Sequence, residues 1–270
     1  MKQRSIYISF VFLALMLIGA CSTVPLTGRK QLDIIPASTM MAMSYQQYDE
    51  FLKTNRLSNN REQTQMVKTV GSRIQQAVER YMAENNMSKL LNGYQWEFNL
   101  IESPDVNAWC MPGGKVVVYT GILSVTRDEA GLAVVMGHEI AHAIAKHGNE
   151  RMSQGLITEL GGAALDVALN EKPEKTRQLW MTAYGLGAQL GVILPYSRLH
   201  ESEADHLGLI FMAMAGYDPN SAVEFWQRMS AMKTGPAPPE FMSTHPSDQT
   251  RINRIKAELP EAKKYYKMPK

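Results

Sequence analysis

The feature that most constrains the fold is an apolar stretch, Val134–His147, that carries polar side chains at regular intervals. It reads VVMGHEIAHAIAKH and holds three of the six histidines of the 270-residue chain, together with one glutamate. The Val, Ile and Ala residues around them predict a largely buried α-helix. Buried His and Glu side chains without partners destabilise a fold by several kcal/mol. The fold must therefore supply partners for them.

The spacing within this helix points to a metal. His138 and His142 are four residues apart, so both imidazoles lie on one face, where a tetrahedral zinc ion fits between them. Glu139 is one step round the helix and can act as the base for a metal-bound water. His147 points about 140° away from His142, so we expect a cation at the helix C-terminus rather than a ligand. A satisfied polar network in a core is the alternative.

A catalytic zinc needs a third protein ligand and an open position. The stretch YSRLHESEADHLG is the best source of it downstream. Glu201 and Asp205 are four residues apart and share a helix face, whereas Glu203 falls on another. One carboxylate can bind zinc, and the other can hold the far nitrogen of a histidine. Taken alone, this run also fits a solvated acidic helix face.

The wider pattern resembles a known family. His138-Glu139-x-x-His142 followed by Glu201-x-x-x-Asp205 resembles the gluzincin arrangement of zinc peptidases. The segments SRLHESEAD, NAWCMPGGKVVVYTG, GYDP and THPSDQTRI, with the opening CSTVPLTGRKQL, resemble the lipoprotein branch of the M48 metallopeptidases over most of residues 21–256. The resemblance implies one zinc ion bound by His138, His142 and Glu201, with Glu139 as the general base and Asp205 as the supporting carboxylate.

The segment STHPSD suggests a further site residue. His245 precedes Pro246, which stiffens its loop, and the resemblance implies that this loop lies near the metal. His245 is a candidate catalytic residue that stabilises the oxyanion beside zinc. It could instead bind zinc as a fourth ligand and keep the enzyme latent. A surface turn, with Ser247 capping the last helix, is the remaining alternative.

The segment NAWCMPGG suggests how a substrate binds. In the family that the chain resembles, an extended segment beside the motif helix pairs with the substrate backbone by strand addition. Asn107, Ala108 and Trp109 fit that edge, although a plain hairpin with Asn107 as a turn residue is the alternative. Cys110 lies next to them. A buried structural cysteine is the favoured interpretation, and a thiol ligand that keeps zinc inactive is the other.

The N-terminus predicts export. Residues 1–20 have a positive start at Lys2 and Arg4 and an apolar run too short to span a bilayer, typical of a signal peptide. LIGAC resembles a lipobox, so Cys21 is a predicted lipidation site and residues 21–36 a linker. An ordinary cleaved signal peptide and a short anchor helix are the alternatives. We expect a bacterial cell-envelope protein, lipid-anchored on the periplasmic face of the outer membrane.

Composition and periodicity set the rest of the fold. The net charge of +2, without basic runs, argues against nucleic-acid binding. We expect a mainly helical α+β fold with a small sheet beside the motif helix, and the resemblance implies that residues 37–270 form a zincin-like metallopeptidase domain. The predicted elements are helices 37–56 and 61–87, strands on both sides of Pro112-Gly114, a helical hairpin within 155–195, and helices beginning near Ser197, Asp218 and Ser247.

These patterns together predict a membrane-anchored zinc endopeptidase. Its partners would be polypeptide substrates, namely misfolded or misassembled envelope proteins, and a membrane reached through Cys21; the substrate class comes from the resemblance. The alternative is a metal-binding envelope chaperone or interaction lipoprotein with latent or minor proteolysis. The presence of Glu139 favours the peptidase, since a scaffold needs no base there. The sequence does not specify an oligomeric state.

Overall fold

The chain forms two compact units. The computed structural model describes residues 21–25, 27–170, 172–189, 194–232 and 240–266. The larger unit consists of Met41–Ala145 and His200–Lys270, and the smaller of Met1–Met40 and Lys146–Leu199. The predicted boundaries at residues 20 and 36 do not coincide with this division and stay a prediction.

Helices dominate both units, and the strands are short, which confirms the predicted mainly helical α+β class. The helices are α1 (Ala37–Thr54), α2 (Arg61–Glu84), α3 (Leu123–Thr126), α4 (Glu129–Ile144), α5 (His147–Ala168), α6 (Glu174–Ala188), α7 (Leu194–Met214), α8 (Ser221–Ala231), α9 (Glu240–Thr244) and α10 (Gln249–Tyr265). The strands are β1 (Cys21–Thr23), β2 (Lys30–Leu32), β3 (Glu97–Ile101), β4 (Ala108–Met111) and β5 (Lys115–Tyr119). Among the described residues, no helix is long and apolar enough to cross a bilayer.

The sheet of the larger unit has the strand order β3-β5-β4. The central strand β5 runs parallel to β3 and antiparallel to β4, and its Val116, Val117 and Val118 are buried. The helix α4 packs on β4 and on α2. As predicted, a small sheet thus lies beside the motif helix. Within the described chain, β4 is an edge strand.

The helix α4 has a defined start and end. Asp128 is its N-cap, and its Oδ1 accepts the N–H of Gly131 at 2.8 Å. The helix ends at Ile144, and Lys146 then takes a left-handed conformation with φ +58°. His147 is buried and begins α5. The expected role of His147 as a cation at the end of the motif helix was therefore wrong, because the chain turns one residue earlier.

The smaller unit combines a two-stranded ribbon with two helices. The strand β1 pairs antiparallel with β2, and β2 packs on α5. Arg29, just before β2, donates two hydrogen bonds to the Glu150 carboxylate of α5, at 2.9 and 2.7 Å. The segment predicted as a linker, 21–36, therefore contains paired strands. The predicted helical hairpin is present as α5 and α6, but it begins earlier than residue 155.

The later helices begin near the predicted positions but use other residues. The helix predicted to start at Ser197 already starts at Leu194. The last helix is capped by Asp248, whose Oδ1 accepts the N–H of Arg251 at 2.8 Å. The hydroxyl of Ser247, the predicted cap, instead donates to the carbonyl of Trp226 at 3.1 Å. Adjacent Ser and Asp are both good caps, and burial of the Ser247 hydroxyl decides between them.

Candidate metal centre

His138 and His142 present their ring nitrogens to each other from one face of α4. Their Nε2 atoms are 3.1 Å apart and their ring centroids 4.7 Å apart. Both side chains are buried, at 2% and 6% exposure. The i, i+4 spacing produces this pairing directly, because successive turns of a helix place such side chains one above the other.

The helix α7 brings Glu201 to this face through a close crossing with α4. Gly137 and Gly208 lie at the crossing: a Cβ on Gly208 would lie 2.9 Å from the backbone nitrogen of His138, and one on Gly137 would lie 3.0 Å from the Gly208 carbonyl oxygen. Larger residues would push the helices apart. The glycine pair therefore sets how near Glu201 comes to the two histidines.

Glu201 is within reach of both histidines. Its Oε2 lies 3.4 Å from His138 Nε2 and its Oε1 lies 3.3 Å from His142 Nε2. With His245, these residues form a buried group whose four potential ligand atoms lie within 4.8 Å of one another. The structure thus brings together the three predicted ligands and one further candidate.

His245 lies inside this group. It follows α9, its N–H donates to the Phe241 carbonyl at 2.8 Å, and its ring packs 4.6 Å from the Phe241 ring. Its Nδ1 is 3.1 Å from His138 Nε2 and 3.0 Å from both oxygens of Glu201. At 8% exposure, His245 does not fit the surface-turn alternative. Its position is that of a potential fourth ligand.

Asp205 contacts His138 of the metal group, and Arg251 binds Asp205. Asp205 Oδ1 lies 3.0 Å from His138 Nδ1, on the side of the ring away from Glu201. Arg251 donates to both oxygens of Asp205, through Nη2 at 2.7 Å and Nε at 2.9 Å. The predicted role of Asp205, to hold a histidine's far nitrogen, matches this placement and remains a prediction until measured.

The buried charges shift the pKa values of these residues strongly. Burial by itself lowers the pKa of His138, but hydrogen bonds to Asp205 and Glu201 outweigh it and raise the pKa to about 9. Burial raises the pKa of Glu201, but hydrogen bonds from the three histidines hold it well below its usual range. Burial also raises the pKa of Asp205, but the positive charge of Arg251 outweighs this effect, and the pKa of Asp205 is lowered. The carboxylates are therefore anionic at neutral pH.

This donor set fits zinc. Three imidazole nitrogens and a carboxylate converge, which are ligand types that zinc prefers. Donors about 2.0–2.1 Å from a tetrahedral ion lie about 3.3–3.4 Å apart, and the nitrogen and oxygen separations of 3.0 to 3.4 Å in the group are close to that. The contact of His138 Nδ1 with Asp205 also directs the Nε2 lone pair of neutral His138 into the group.

Glu139 lies at the edge of the metal group. It is 4% exposed, and its Oε1 is 3.3 Å from His245 Nε2.

Burial and the nearby Glu139 carboxylate raise the pKa of Cys110 well above its usual value, so its thiol stays protonated. Cys110 is absent from the metal group found among the described residues. This favours a structural role for Cys110 over a thiol ligand.

The predicted substrate-binding segment lies on the sheet and outside the metal group. Ala108 and Trp109 belong to β4, and Asn107 precedes it, with its Oδ1 accepting the Ala108 N–H at 2.8 Å. The Trp109 ring packs on Phe51 of α1, with centroids 4.9 Å apart. Trp109 is thus a packing residue. What β4 offers a peptide is its backbone edge, and a role for Asn107–Trp109 in binding remains a prediction.

Sequence reasoning missed Arg251 and Trp226. Arg251 is 3% exposed, and its guanidinium carbon lies 3.4 Å from the centroid of the Trp226 ring. The only available signal was position: Arg251 lies six residues after His245 in the segment THPSDQTRI, in the first turn of the last helix. No spacing rule identifies a buried arginine that comes from a separate helix.

Comparison with known proteins gives consistent matches. The Peptidase family M48 profile matches residues 69–259. A mitochondrial metalloendopeptidase OMA1 of Schizosaccharomyces pombe is 38% identical over 195 residues, 70% of this chain and 53% of that protein. Its Bos taurus counterpart is 31% identical over 251 residues, 89% of this chain and 46% of that protein. A beta-barrel assembly-enhancing protease of Yersinia pestis is 27% identical over 194 residues, 70% of this chain and 37% of that protein.

The matches show how much of each relative the chain covers, and they correct the predicted location. The chain spans about half or less of the length of these curated relatives. The predicted location, lipid-anchored on the periplasmic face of a bacterial outer membrane, was wrong, because the relatives from fission yeast and cattle are mitochondrial enzymes. A short apolar run that ends in small residues and a cysteine does not by itself specify a compartment.

Proposed function

The chain belongs to peptidase family M48, and on that basis we propose that it is a zinc-dependent endopeptidase with Glu139 as its general base. The observation that carries the proposal is the buried group of His138, His142, Glu201 and His245, with Glu139 beside it. The OMA1 relatives, named as metalloendopeptidases, support the same reaction.

Different residues of the site would bind the metal and transfer the proton. His138, His142 and Glu201 would hold zinc, which when bound supplies a Lewis acid that polarises the scissile carbonyl and makes water more acidic. Glu139 would take a proton from the attacking water and deliver it to the leaving amine. The side chain is buried at the edge of the metal group, beside His245, and this position supports the role.

We propose that β4 binds the substrate backbone. Its one partner strand in the described chain is β5, which leaves the other edge able to pair with an extended peptide. Since β4 packs directly on α4, a peptide on that edge would lie beside the helix that carries Glu139. Asn107 would orient the start of the strand through its hydrogen bond to the Ala108 N–H.

We propose that His245 closes the site in the conformation described here. A catalytic zinc site keeps one position open, and His245 Nδ1 lies where a fourth ligand would be. The enzyme would then be latent until the loop that follows α9 moves. The placement supports this role over that of an oxyanion donor, which would need to face the substrate.

The proposed substrates and the membrane attachment come from the sequence and from the name of one relative. Misfolded or misassembled envelope proteins are the proposed substrates, supported by the family resemblance and by the name of the Yersinia pestis relative. Attachment to a membrane through Cys21 remains a prediction that rests on the sequence LIGAC alone. A metal-binding chaperone with latent proteolysis stays the second candidate, since the position of His245 fits latency.

The test uses the purified full chain. Metal content is measured by mass spectrometry, and casein cleavage is followed for wild type and Glu139→Gln in parallel. We expect one zinc per chain in both proteins and cleavage in the wild type only. Equal cleavage by both proteins would rule out Glu139 as the base. A folded chain that binds no zinc would overturn the proposal.

The same two proteins, wild type and Glu139→Gln, also distinguish the chaperone from the peptidase. Bound zinc without cleavage in either protein, together with suppression of the aggregation of an unfolded client by both, would favour the chaperone. The Glu139→Gln substitution keeps the shape of the side chain and removes its basicity. Retained chaperone activity in this variant would therefore separate binding from hydrolysis.

A further inference from the structure

Arg251 is the one buried cation described in contact with the metal group, and neither the motif nor the family match assigns it a role. It comes from the first turn of α10, where its own N–H is capped by Asp248. Its side chain is 3% exposed. An arginine is almost never so deeply buried unless its charge is paired, so its partners should indicate what it does.

The guanidinium group binds both carboxylates of α7. Nη2 and Nε make a bidentate pair with Asp205, at 2.7 and 2.9 Å. Nη1 lies 3.1 Å from Oε2 of Glu201, whose other oxygen is 3.3 Å from His142 Nε2. Arg251 therefore pairs with the oxygen of Glu201 that faces His138, while the other oxygen faces His142. Only a planar fork of donors can satisfy both carboxylates at once.

Two more contacts fix the position of the guanidinium. Its plane stacks on the ring of Trp226 in α8, 3.4 Å from the ring centroid. Nη1 also donates to the carbonyl of Pro246 at 3.0 Å, next to His245. One side chain thus joins α7, α8, α10 and the loop that carries His245. These contacts restrict the Arg251 side chain to one position.

The charges in the site complete the argument. Three buried carboxylates face the group, those of Glu139, Glu201 and Asp205. The Arg251 guanidinium is the buried cation that pairs with two of them, Glu201 and Asp205. Without Arg251, these two buried carboxylates would lose the positive charge that they pair with, which is costly.

We propose that Arg251 is a positioning residue that assembles the ligand shell before the metal binds. It holds Asp205 against His138, anchors the Glu201 carboxylate through Oε2, and offsets the charge of these two buried carboxylates. This inference rests on the proposed function only through the metal site. It does not depend on hydrolysis.

The test compares three variants of the full chain. Arg251→Gln removes the charge and the fork, and Arg251→Lys keeps the charge without the fork. Arg254→Gln is the matched control, because Arg254 also reaches Asp205, at 3.4 Å, but through a single contact and from a side chain that is 34% exposed. The zinc dissociation constant is measured by competition with a chromophoric chelator. The visible absorption of the cobalt-loaded proteins reports the ligand geometry.

We expect the zinc dissociation constant to rise about 10–100-fold in Arg251→Gln, less in Arg251→Lys, and less than about twofold in Arg254→Gln. The cobalt spectrum should change in both Arg251 variants. A wild-type zinc dissociation constant and cobalt spectrum in Arg251→Lys would overturn the proposal, even with lowered thermal stability, because that pattern belongs to a purely structural residue. If Arg251→Gln does not fold, the zinc affinity and cobalt spectrum of Arg251→Lys alone test the proposal. Failure of the Glu139 test would leave these zinc measurements valid.

Discussion

His138 and Asp205 are joined by a contact of 3.0 Å between Nδ1 and Oδ1, with both side chains 2% exposed. The carboxylate comes from α7 and the imidazole from α4, so the contact links the two helices that carry three of the four candidate metal ligands. In the neutral form of His138, a proton held on Nδ1 leaves the Nε2 lone pair facing Glu201 and His142. Asp205 is therefore placed to orient His138 without itself belonging to the metal group.

Substitution of Asp205 by Asn should weaken metal binding. The side-chain shape is kept, but the negative charge that fixes the His138 tautomer and pairs with Arg251 is lost. We expect the zinc dissociation constant to rise about 10–100-fold, measured by chelator competition. Asp166→Asn is the control, because Asp166 pairs with Arg177 on the other compact unit. Equal affinities in the two variants would show that Asp205 does not act through His138.

Substitution of His245 by Ala distinguishes a closing ligand from an oxyanion donor. If His245 fills the fourth position, its removal opens the site, and casein cleavage at saturating zinc should rise severalfold while zinc binds more weakly. A donor to the oxyanion would give the opposite result, a loss of about 10²–10³-fold in rate with zinc affinity unchanged. Thr244→Ala, one residue before, should leave both quantities near wild type.

The motif helix and its partner could be predicted from the sequence because their signals are local. His138, Glu139 and His142 are set by spacing on one helix, and burial followed from the apolar residues between them. The start of the helix at Asp128 is also a local feature, because an aspartate directly before the helix is a good N-cap. Glu201 needed the family resemblance, since a run of acidic residues on a helix is usually solvated.

What could not be predicted depends on contacts between separate elements. The meeting of Gly137 with Gly208 requires knowledge of which helices cross, and a glycine inside a helical pattern has no such signal of its own. Arg251 is equally hidden, because its partners are 46 and 50 residues away in sequence. His147 was misplaced for a related reason: a left-handed residue at Lys146, a conformation uncommon for lysine, ends the helix early.

Substitution of Gly208 by Ala should separate α4 from α7. The added Cβ would lie 2.9 Å from the backbone nitrogen of His138, and backbone atoms cannot move aside as a flexible side chain would. We expect a loss of about 1–3 kcal/mol in the free energy of unfolding, measured by denaturant titration, and weaker zinc binding. Gly155→Ala is the control. It lies in α5 with nothing near its Cβ, so it should stabilise the protein by about 0.5–1 kcal/mol.

The ion pair between His206 and Glu258 should make stability depend on pH. His206 Nδ1 on α7 lies 3.7 Å from Glu258 Oε2 on α10, and this carboxylate raises the pKa of His206 above its usual value of 6.5. A raised folded-state pKa means that the stabilisation is fully present below pH about 6.5 and is lost as the pH rises through the folded-state value.

Glu258→Gln removes the partner and keeps the side-chain size. Its free energy of unfolding should fall below that of wild type by about 0.5–1 kcal/mol at pH 5.5, where His206 is charged in both states. At pH 9 the difference should be smaller, because the imidazole loses its charge as the pH rises through its folded-state pKa. Denaturant titrations of the two proteins at both pH values give the comparison. A difference of the same size at pH 5.5 and pH 9 would mean that packing around Glu258, and not the charge on His206, holds α7 and α10 together.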